Sequence, residues 1–193
     1  MRQEKDLVLI NSFKNGNAGA FDELYKAYKR TILNYLYRMT NNRTMAEELT
    51  QETFVKVYTN IDKYMPTGSF SSWVYAIARN LAKNEFKKAK NVRKVSFDSK
   101  LSDNSEFTLS DILTKDGTDA SDYMNNAEIE ESIQSVLLSM PPEFREVITL
   151  CVIQELSYED AARVIGCTKS VVAVRLFRGR KLFVKCLKGR DNG

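Results

Sequence analysis

The sequence predicts an all-α protein in which two small helical domains are joined by a flexible acidic linker. Apolar residues recur at steps of three and four over most of the chain, a spacing typical of amphipathic helices. No stretch shows the convincing apolar–polar alternation of a strand. The helical spacing disappears between residues 96 and 126, where Asp and Ser dominate. We therefore expect a first domain at residues 1–95, a linker at 96–126 and a second domain at 127–193.

The first domain is predicted to contain four helices. Their apolar spacing covers residues of about 7–13, 18–39, 44–60 and 71–94. Thr44 and Glu47 have the spacing of a capping box at the start of the third helix. Pro66 and Gly68 break the pattern, so residues 65–69 are expected to form a loop before the long fourth helix. On that helix, polar side chains able to reach bases and phosphates share one side: Asn80, Lys83, Asn84 and Lys87.

The second domain is predicted to end in a helix-turn-helix. Helical spacing resumes at about residue 127 and, after a Pro-Pro break, continues over about 143–154. Ser157 then caps a short helix, Gly166 ends it in the left-handed conformation, and Thr168 caps the next helix. Small alanines and a Gly turn suit a helix-turn-helix, because its two helices cross closely.

The last helix carries a basic face. Eight Lys and Arg residues and no acidic residue occur between Lys169 and Arg190. At helical spacing, five of them fall along one side: Arg175, Arg178, Lys181, Lys185 and Lys188. A solvated helix face is the simpler interpretation of an isolated basic helix. Because this one follows a Gly-turned helix pair and lacks acidic residues, duplex DNA binding is the favoured interpretation.

Charge is distributed unevenly along the chain. The first domain has 17 basic against 9 acidic residues, the linker 2 against 7, and the second domain 10 against 9, within a net charge of +4. Two basic ends around an acidic middle indicate a polyanionic partner that is contacted twice. Fully extended, the linker would reach about 100 Å, so the two domains could bind sites several helical turns of DNA apart.

Several classes of function lack the residues they need. The chain contains no His, and Cys151, Cys167 and Cys186 lack the CxxC spacing of a zinc site. We therefore expect no metal, no cofactor and no catalytic residue, and an enzyme acting on nucleic acid finds little support. No run of about 18 apolar residues and no signal-type segment is present, so we expect a cytoplasmic protein without membrane insertion, with its thiols reduced.

Three segments occur in order on the two sides of the linker. They are AEELTQETFVKVY at 46–58, FSSWVYAIARNLAKNEFKK at 70–88, and MPPEFREVITLCVIQELSYEDAARVIGCTKSVVAVRLFRGRKLF at 140–183. Together they resemble the extracytoplasmic-function group of the bacterial sigma-70 family of transcription initiation factors. The resemblance implies a sigma region 2-like helical bundle followed by a sigma region 4-like helix-turn-helix domain. It also implies an RNA polymerase sigma factor that recognises −10 and −35 promoter elements and opens the DNA.

The resemblance assigns roles to residues at matching motif positions. It assigns core polymerase binding to Glu48, Gln51, Glu52 and Phe54. It assigns −10 DNA binding to Thr67, Gly68, Ser69, Asn80, Lys83, Asn84 and Lys87. It assigns −35 DNA binding to Lys169, Ser170, Val174, Arg175, Arg178 and Lys181. The implied partners are a coiled coil on the largest catalytic subunit of core RNA polymerase, the flap region for the second domain, promoter DNA as duplex and as single strand, and an anti-sigma factor.

The sequence departs from the family at the start of the last helix. Members commonly have Thr-Val-Lys-Ser-Arg there, whereas this chain has Val171, Val172, Ala173, Val174 and Arg175. The Lys and Ser contacts therefore cannot be carried over, and Arg175 is the best candidate for a base or phosphate contact. Val174 either meets thymine methyl groups or packs against a neighbour.

An autonomous helix-turn-helix regulator, independent of core polymerase, is the alternative function. It would bind duplex DNA tightly by itself as a dimer. Such a regulator has no use for the acidic surface at Glu48 and Glu52, whose like charges at i and i+4 slightly destabilise their own helix. This surface distinguishes the two hypotheses.

Overall fold

Eight α-helices form the part of the chain, residues 2–95 and 120–188, that this computed structural model describes. They are α1 (Arg2–Lys14), α2 (Ala18–Thr40), α3 (Arg43–Asn60), α4 (Phe70–Val95), α5 (Ala120–Ser139), α6 (Pro142–Ile148), α7 (Tyr158–Ile165) and α8 (Lys169–Lys188). A 3-10 turn, Ile61–Lys63, follows α3, and a wider π turn, Thr149–Ile153, continues α6. No strand occurs in these two ranges, and the all-α prediction is confirmed.

Helix α5 begins earlier than the sequence predicts. It starts at Ala120 rather than at about residue 127, since neither Gly nor Pro interrupts the chain between Ala120 and Ser139. Most of the predicted linker, residues 96–119, lies outside the described residues. The domain bounds at 1–95 and 127–193 therefore stay a prediction.

Helix α3 is capped by a different residue from the one predicted. Asn42 accepts a hydrogen bond over 2.9 Å from the amide three residues further on, and the helix begins at Arg43. Glu47 pairs instead with Arg43 at 2.8 Å. The predicted capping box of Thr44 and Glu47 is wrong, because Asn42 has the extended backbone that a cap needs whereas Thr44 is already helical.

The helix-turn-helix has the predicted caps. The Ser157 hydroxyl accepts a hydrogen bond from the Asp160 amide over 3.1 Å at the start of α7. Thr168 accepts one from the Val171 amide over 3.3 Å at the start of α8. Gly166 ends α7 in the left-handed conformation, with a φ of 76°, where a side chain would be strained. All three local signals are confirmed.

A second glycine sets the distance between α6 and α8. A Cβ on Gly179 would lie 3.3 Å from Ile148 Cδ1 and 3.4 Å from Phe144 Cβ, so a larger residue would force the helices apart. The side of α8 that faces this contact also carries the buried residues Val172 and Leu176. Close packing on one side leaves the other side of α8 turned to solvent.

The first four helices enclose an apolar core beneath the loop at 65–69. Its buried residues include Ile32, Leu36, Val57 and Val74. At the start of α4, the rings of Tyr64, Phe70 and Trp73 contact one another at centroid distances of 5.2 to 5.8 Å. This aromatic cluster supports the loop from below.

The second domain packs directly on the first. Helix α7 lies against α4 and α5 lies against α2, and the buried apolar residues of both halves form one continuous cluster. Polar side chains cross the boundary as well, among them Arg79 of α4, which pairs with Glu146 of α6. The helix-turn-helix therefore lies beside the loop that precedes α4.

A carboxyl group is buried between α1 and α2. Asp6 accepts a hydrogen bond from the Tyr28 hydroxyl, and the Arg2 guanidinium lies 4.7 Å from the centre of the Tyr28 ring. Burial raises the pKa of Asp6, although the Tyr28 hydroxyl and the nearby charges of Arg2 and Lys5 oppose that rise. The hydrogen bond from the Tyr28 hydroxyl therefore stabilises the ionised form of Asp6.

Tyr28→Phe is expected to lower the free energy of unfolding by about 1–3 kcal/mol, because a buried carboxylate loses its donor. Loss of the donor raises the pKa of Asp6 further above its unfolded value, and a raised carboxyl pKa costs stability as pH rises through it. The deficit should therefore be greater at pH 7 than at pH 4, as urea unfolding would show. The control is Tyr25→Phe, a half-buried hydroxyl with no hydrogen bond to the described residues. Equal deficits at both pH values would contradict this account.

Candidate protein and nucleic-acid interfaces

Helix α3 presents a face of carboxylates and an amide to solvent. Glu48, Gln51 and Glu52 are all exposed on it. Glu52 forms an ion pair of 3.7 Å with Lys56, and both side chains stay about half exposed. Phe54 is buried against an aromatic ring of α2 and, together with Gln51, lines an apolar pocket. Of the four predicted polymerase-binding residues, Glu48, Gln51 and Glu52 are therefore accessible to a partner, and Phe54 is buried.

An apolar pocket of about 340 Å³ adjoins this face. It is lined by Phe21, Tyr25, Gln51, Phe54, Val55 and Tyr58. Val55 and Tyr58 are 61% and 53% exposed, so the pocket opens onto a patch of large apolar groups. Sequence reasoning missed this pocket. The sequence shows only the α3 part of the lining, where Val55 and Tyr58 follow Gln51 at helical spacing. The rest of the lining, Phe21 and Tyr25, belongs to α2, about 30 residues earlier in the chain.

The loop before α4 is held by hydrogen bonds at its end. The Tyr64 hydroxyl donates to the Gly68 carbonyl over 2.9 Å. Ser69 caps α4 by accepting a hydrogen bond from the Ser72 amide over 3.1 Å. Of the predicted −10 residues in this loop, Thr67 is exposed, whereas Gly68 and Ser69 are half-buried.

Two side chains of α7 cover the half-buried part of this loop. The Ser69 side chain lies close enough to the Asp160 carboxylate to lower its pKa. Arg163 lies so close to Gly68 that a Cβ there would be 2.9 Å from Arg163 Cδ. Burial acts to raise the pKa of Asp160, but hydrogen bonds from Ser69 and Ser157 and the Arg163 charge outweigh it and lower that pKa. An ionised carboxylate is therefore held against the loop.

Helix α4 carries its predicted polar side in accessible positions. Asn80, Lys83, Asn84 and Lys87 are all exposed. Within the described ranges, no carboxylate lies within 4 Å of the Lys83 or Lys87 ammonium group, since nearby Glu85 pairs with Lys88 instead. The charges of these two lysines are available to an anionic ligand.

Helix α8 turns most of its predicted DNA-binding residues to solvent. Lys169, Ser170, Val174, Arg178 and Lys181 are exposed, and Arg175 is half-buried. The Lys169 ammonium lies 3.2 Å from a Glu159 oxygen, and the Lys181 ammonium lies 4.4 Å from the centre of the Phe177 ring. No residue of α8 itself is acidic, so the helix offers positive charge along its whole length.

The two possibilities for Val174 are separated by its exposure. The side chain is 49% exposed, while Val172, two residues earlier, is fully buried. Val171 and Phe177 are exposed as well, so the outward face of α8 combines cations with apolar groups. Such a face suits thymine methyl groups as well as phosphates.

The described part of the chain contains neither a metal-binding cluster nor a membrane span. In residues 2–95 and 120–188, no three Cys, Asp or Glu side chains come together in a way that could hold a metal ion. None of the helices there is long and apolar enough to cross a membrane. The three cysteines are half-buried free thiols.

Fold and surfaces together define an all-helical protein with a basic exposed face on α8 and an acidic exposed face on α3. The Sigma-70 region 2 family model matches residues 24–92, and the Sigma-70 region 4 model matches residues 130–183. The ECF RNA polymerase sigma factor SigW of Bacillus subtilis is 31% identical over 179 residues, which cover 93% of this chain and 95% of that protein. The RNA polymerase sigma-H factor of Pseudomonas aeruginosa is 32% identical over 188 residues, with 97% and 96% covered.

Solved structures share the fold. The structure of CnrH in complex with the cytosolic domain of CnrY has a TM-score of 0.67 at 21% identity and covers 96% of this chain and 98% of that one. The sigma factor RpoE in complex with the anti-sigma factor NepR from Bartonella quintana has a TM-score of 0.70 at 20% identity and covers 87% and 96%. The chain belongs to the sigma-70 family of RNA polymerase sigma factors, in its extracytoplasmic-function group.

Proposed function

We propose that this sigma factor brings core RNA polymerase to promoters by binding the −35 element with α8 and the −10 element with α4 and the loop before it. The observation that carries the proposal is the acidic face of α3, where Glu48, Gln51 and Glu52 are exposed beside an apolar pocket. A protein that worked by DNA binding alone would have no use for such a face. The autonomous regulator is therefore not favoured.

The α3 face suits a basic helical partner such as the coiled coil of the largest catalytic subunit. Its carboxylates provide acceptors, and the pocket beside them has room for apolar side chains of the partner. An apolar, aromatic-lined centre with a polar rim is the usual anatomy of a protein interface. Gln51 belongs to both parts, since it is exposed on the face and also lines the pocket. The flap region is the polymerase contact that we propose for the second domain.

Promoter opening requires tighter binding to the unpaired strand than to the duplex. The loop offers the exposed Thr67 hydroxyl to an everted base, whereas Gly68 and Ser69 are half-buried beneath α7, and the aromatic cluster keeps the loop in place. Unstacking a base costs a few kcal/mol, which these contacts must offset. Along α4, Asn80 and Asn84 supply amides for base edges, and Lys83 and Lys87 supply charge for phosphates.

Duplex recognition at −35 falls to α8. In a helix-turn-helix the second helix enters the major groove and its N-terminal residues contact base edges. Here these residues are Lys169, Ser170, Val174 and Arg175, followed by Arg178 and Lys181. The sequence-specific part therefore lies in the first two turns, and the later cations hold the phosphate backbone.

An anti-sigma factor is a further proposed partner. The structure of CnrH is a complex with the cytosolic domain of CnrY, and that of RpoE is a complex with the anti-sigma factor NepR. Both proteins have the fold of this chain, and the complex of the sigma factor RpoE with an anti-sigma factor supports regulation of the same kind here. We place the protein in the cytoplasm, where polymerase and promoter DNA are found, and we expect it to act without catalysing a reaction of its own.

Transcription in vitro with bacterial core polymerase tests the proposed function. Core enzyme and a promoter library are incubated with and without the protein, and the transcripts are sequenced. We expect defined start sites only when the protein is present. Start sites that do not depend on the protein, or tight and specific duplex binding by a dimer without core enzyme, would favour the autonomous regulator instead.

A further inference from the structure

The start of helix α1 carries two exposed cations, Arg2 and Lys5. The region 2 family match begins at residue 24, so it assigns no role to this helix. We propose that Arg2 and Lys5 form a further nucleic-acid contact, which binds a phosphate of the unpaired promoter strand beside the loop at 65–69. The proposal rests on the proposed function, because it requires that the loop and α4 bind that strand.

The buried side of α1 fixes the position of these cations. Ile10 is 2% exposed, and the ring of Phe13 lies 5.5 Å from that of Phe21 on α2. Arg2 and Lys5 are three residues apart, a spacing that makes them neighbours along one edge of a helix. Because α1 packs against α2, that edge has a defined place on the first domain.

A row of aromatic rings leads from Arg2 to the loop. The Arg2 guanidinium lies 4.7 Å from the centre of the Tyr28 ring. The Tyr28 ring lies 5.5 Å from that of Phe70, which lies 5.5 Å from that of Tyr64. The Tyr64 hydroxyl in turn donates to the Gly68 carbonyl of the loop. The start of α1 and the loop thus share one aromatic support.

The buried Asp6 carboxyl gives a second link between α1 and the loop. It accepts a hydrogen bond from the Tyr28 hydroxyl, and its charge also acts on the Tyr64 hydroxyl. The charge of Lys5, the preceding residue, acts on Asp6 in turn. Two independent sets of contacts therefore place the basic start of α1 beside the loop.

The acidic residues of α1 do not cancel the two cations. Glu4 follows Arg2 by two positions, so it lies on the opposite side of the helix. Asp6 is 5% exposed, and its hydrogen bond with Tyr28 directs its carboxyl inwards. Within residues 2–95 and 120–188, the Lys5 ammonium forms no hydrogen bond or ion pair. A positive edge consequently faces solvent beside the loop.

A phosphate is the ligand that these two side chains suit. The guanidinium of Arg2 rests on the Tyr28 ring and donates to the Ala27 carbonyl over 3.4 Å, which leaves further N–H donors for an anion. Lys5 adds a mobile point charge. Stacking on a ring restrains the guanidinium before the strand arrives, so the loss of side-chain freedom on binding is reduced.

The lysines of α4 leave this part of the strand without charge neutralisation. Lys83 lies 13 residues after Phe70, which is about 20 Å along the helix from the loop. It is therefore too far away to hold the phosphates on either side of a base everted at Thr67. Arg2 and Lys5 supply positive charge close to that base.

Lys5→Ala and Arg2→Ala test the contact in the holoenzyme with core polymerase. The probe is a fluorescently labelled single-stranded −10 oligonucleotide, taken from a promoter selected in the library, and its affinity is measured by anisotropy. Each variant should bind about fivefold more weakly, as expected for an exposed charge contact. Each should also reduce the slope of log affinity against log salt by about 0.7, the value for one phosphate of a single strand.

Two further variants separate a phosphate contact from loss of structure. Lys14→Ala removes the same charge from an exposed position about 14 Å further along α1, and it should change neither affinity nor slope. Arg2→Lys keeps the charge but loses the planar guanidinium, and it should recover most of the salt slope. Lys5→Ala should unfold at the wild-type temperature, because the Lys5 side chain bonds to no described residue.

Neutral methylphosphonates, introduced at one position of the oligonucleotide at a time, identify the phosphate. At the phosphate that α1 binds, neutralisation should weaken binding by the wild type and have little further effect on Lys5→Ala. This loss of additivity is the sign of a direct contact. At all other positions the two losses should add.

The outcomes distinguish this contact from the proposed function. Affinity that falls in Lys83→Ala but not in Lys5→Ala or Arg2→Ala would overturn the α1 contact alone. Additive losses at every phosphate would also overturn it, since they would show only a long-range effect of charge. A wild-type holoenzyme that fails to bind the oligonucleotide would overturn the proposed −10 role of the loop and α4, and the α1 contact with it.

Discussion

Glu52→Arg is expected to abolish association with core RNA polymerase and to leave the fold intact. Glu52 is exposed on the α3 face, so charge reversal would place a guanidinium against a basic partner. Like charges facing each other across an interface cost several kcal/mol, which corresponds to a loss of more than about a hundredfold in affinity. Stability should change little, since the exposed pair of Glu52 with Lys56 contributes at most about 0.5 kcal/mol. Titration of core enzyme with labelled protein measures the effect.

Glu131→Arg is the matched control for this charge reversal. Glu131 is exposed on α5 and lies outside the α3 face. The control variant should bind core polymerase as the wild type does. Equal affinities of the two variants for core enzyme would show that the α3 face is not the polymerase-binding surface.

Arg175→Ala is expected to weaken −35 binding by about 1–3 kcal/mol at one base pair of the element. Arg175 is half-buried in the second turn of α8, the part of a recognition helix that contacts base edges. Affinities of the holoenzyme for duplexes with each −35 base pair exchanged in turn would measure this. The variant should lose its preference at one position and keep it at the others. A uniform loss over all sequences would make Arg175 a phosphate contact.

Arg178→Ala provides the comparison. Arg178 is exposed one turn further along α8 and is the better candidate for a phosphate contact. Its removal should weaken binding evenly across −35 sequences and reduce the slope of log affinity against log salt by about one. Lys26→Ala on α2 removes one exposed positive charge outside the second domain and should leave both quantities unchanged.

The helix-turn-helix could be predicted because its signals are local. Ser157 and Thr168 cap helices by accepting hydrogen bonds from amides three residues away. Gly166 ends its helix by adopting a left-handed conformation, which depends on that residue alone. At α3 the same reasoning failed, since Asn42 and Thr44 are both good caps by residue type. Which one caps depends on the backbone conformation that the preceding helix end imposes, and residue type does not carry that information.

The contacts between the two domains could not be predicted from the sequence. Arg79 and Glu146 are 67 positions apart, and each looks like an ordinary solvated charge on an amphipathic helix. The pocket beside α3 was missed for the same reason, because α2 and α3 each contribute only part of its lining. The predicted binding residues on α3, α4 and α8 are mostly exposed, but the roles assigned to them stay predictions until the variants are measured.

The apolar groups on the outward face of α8 have a thermodynamic consequence. Val171, Val174 and Phe177 are exposed in the free protein and would leave water if α8 enters the major groove as we propose. Burial of apolar surface on binding gives a negative heat-capacity change, a component of the affinity that ionic strength does not screen. Recognition of the −35 element by this sigma factor should therefore depend on temperature as well as on salt.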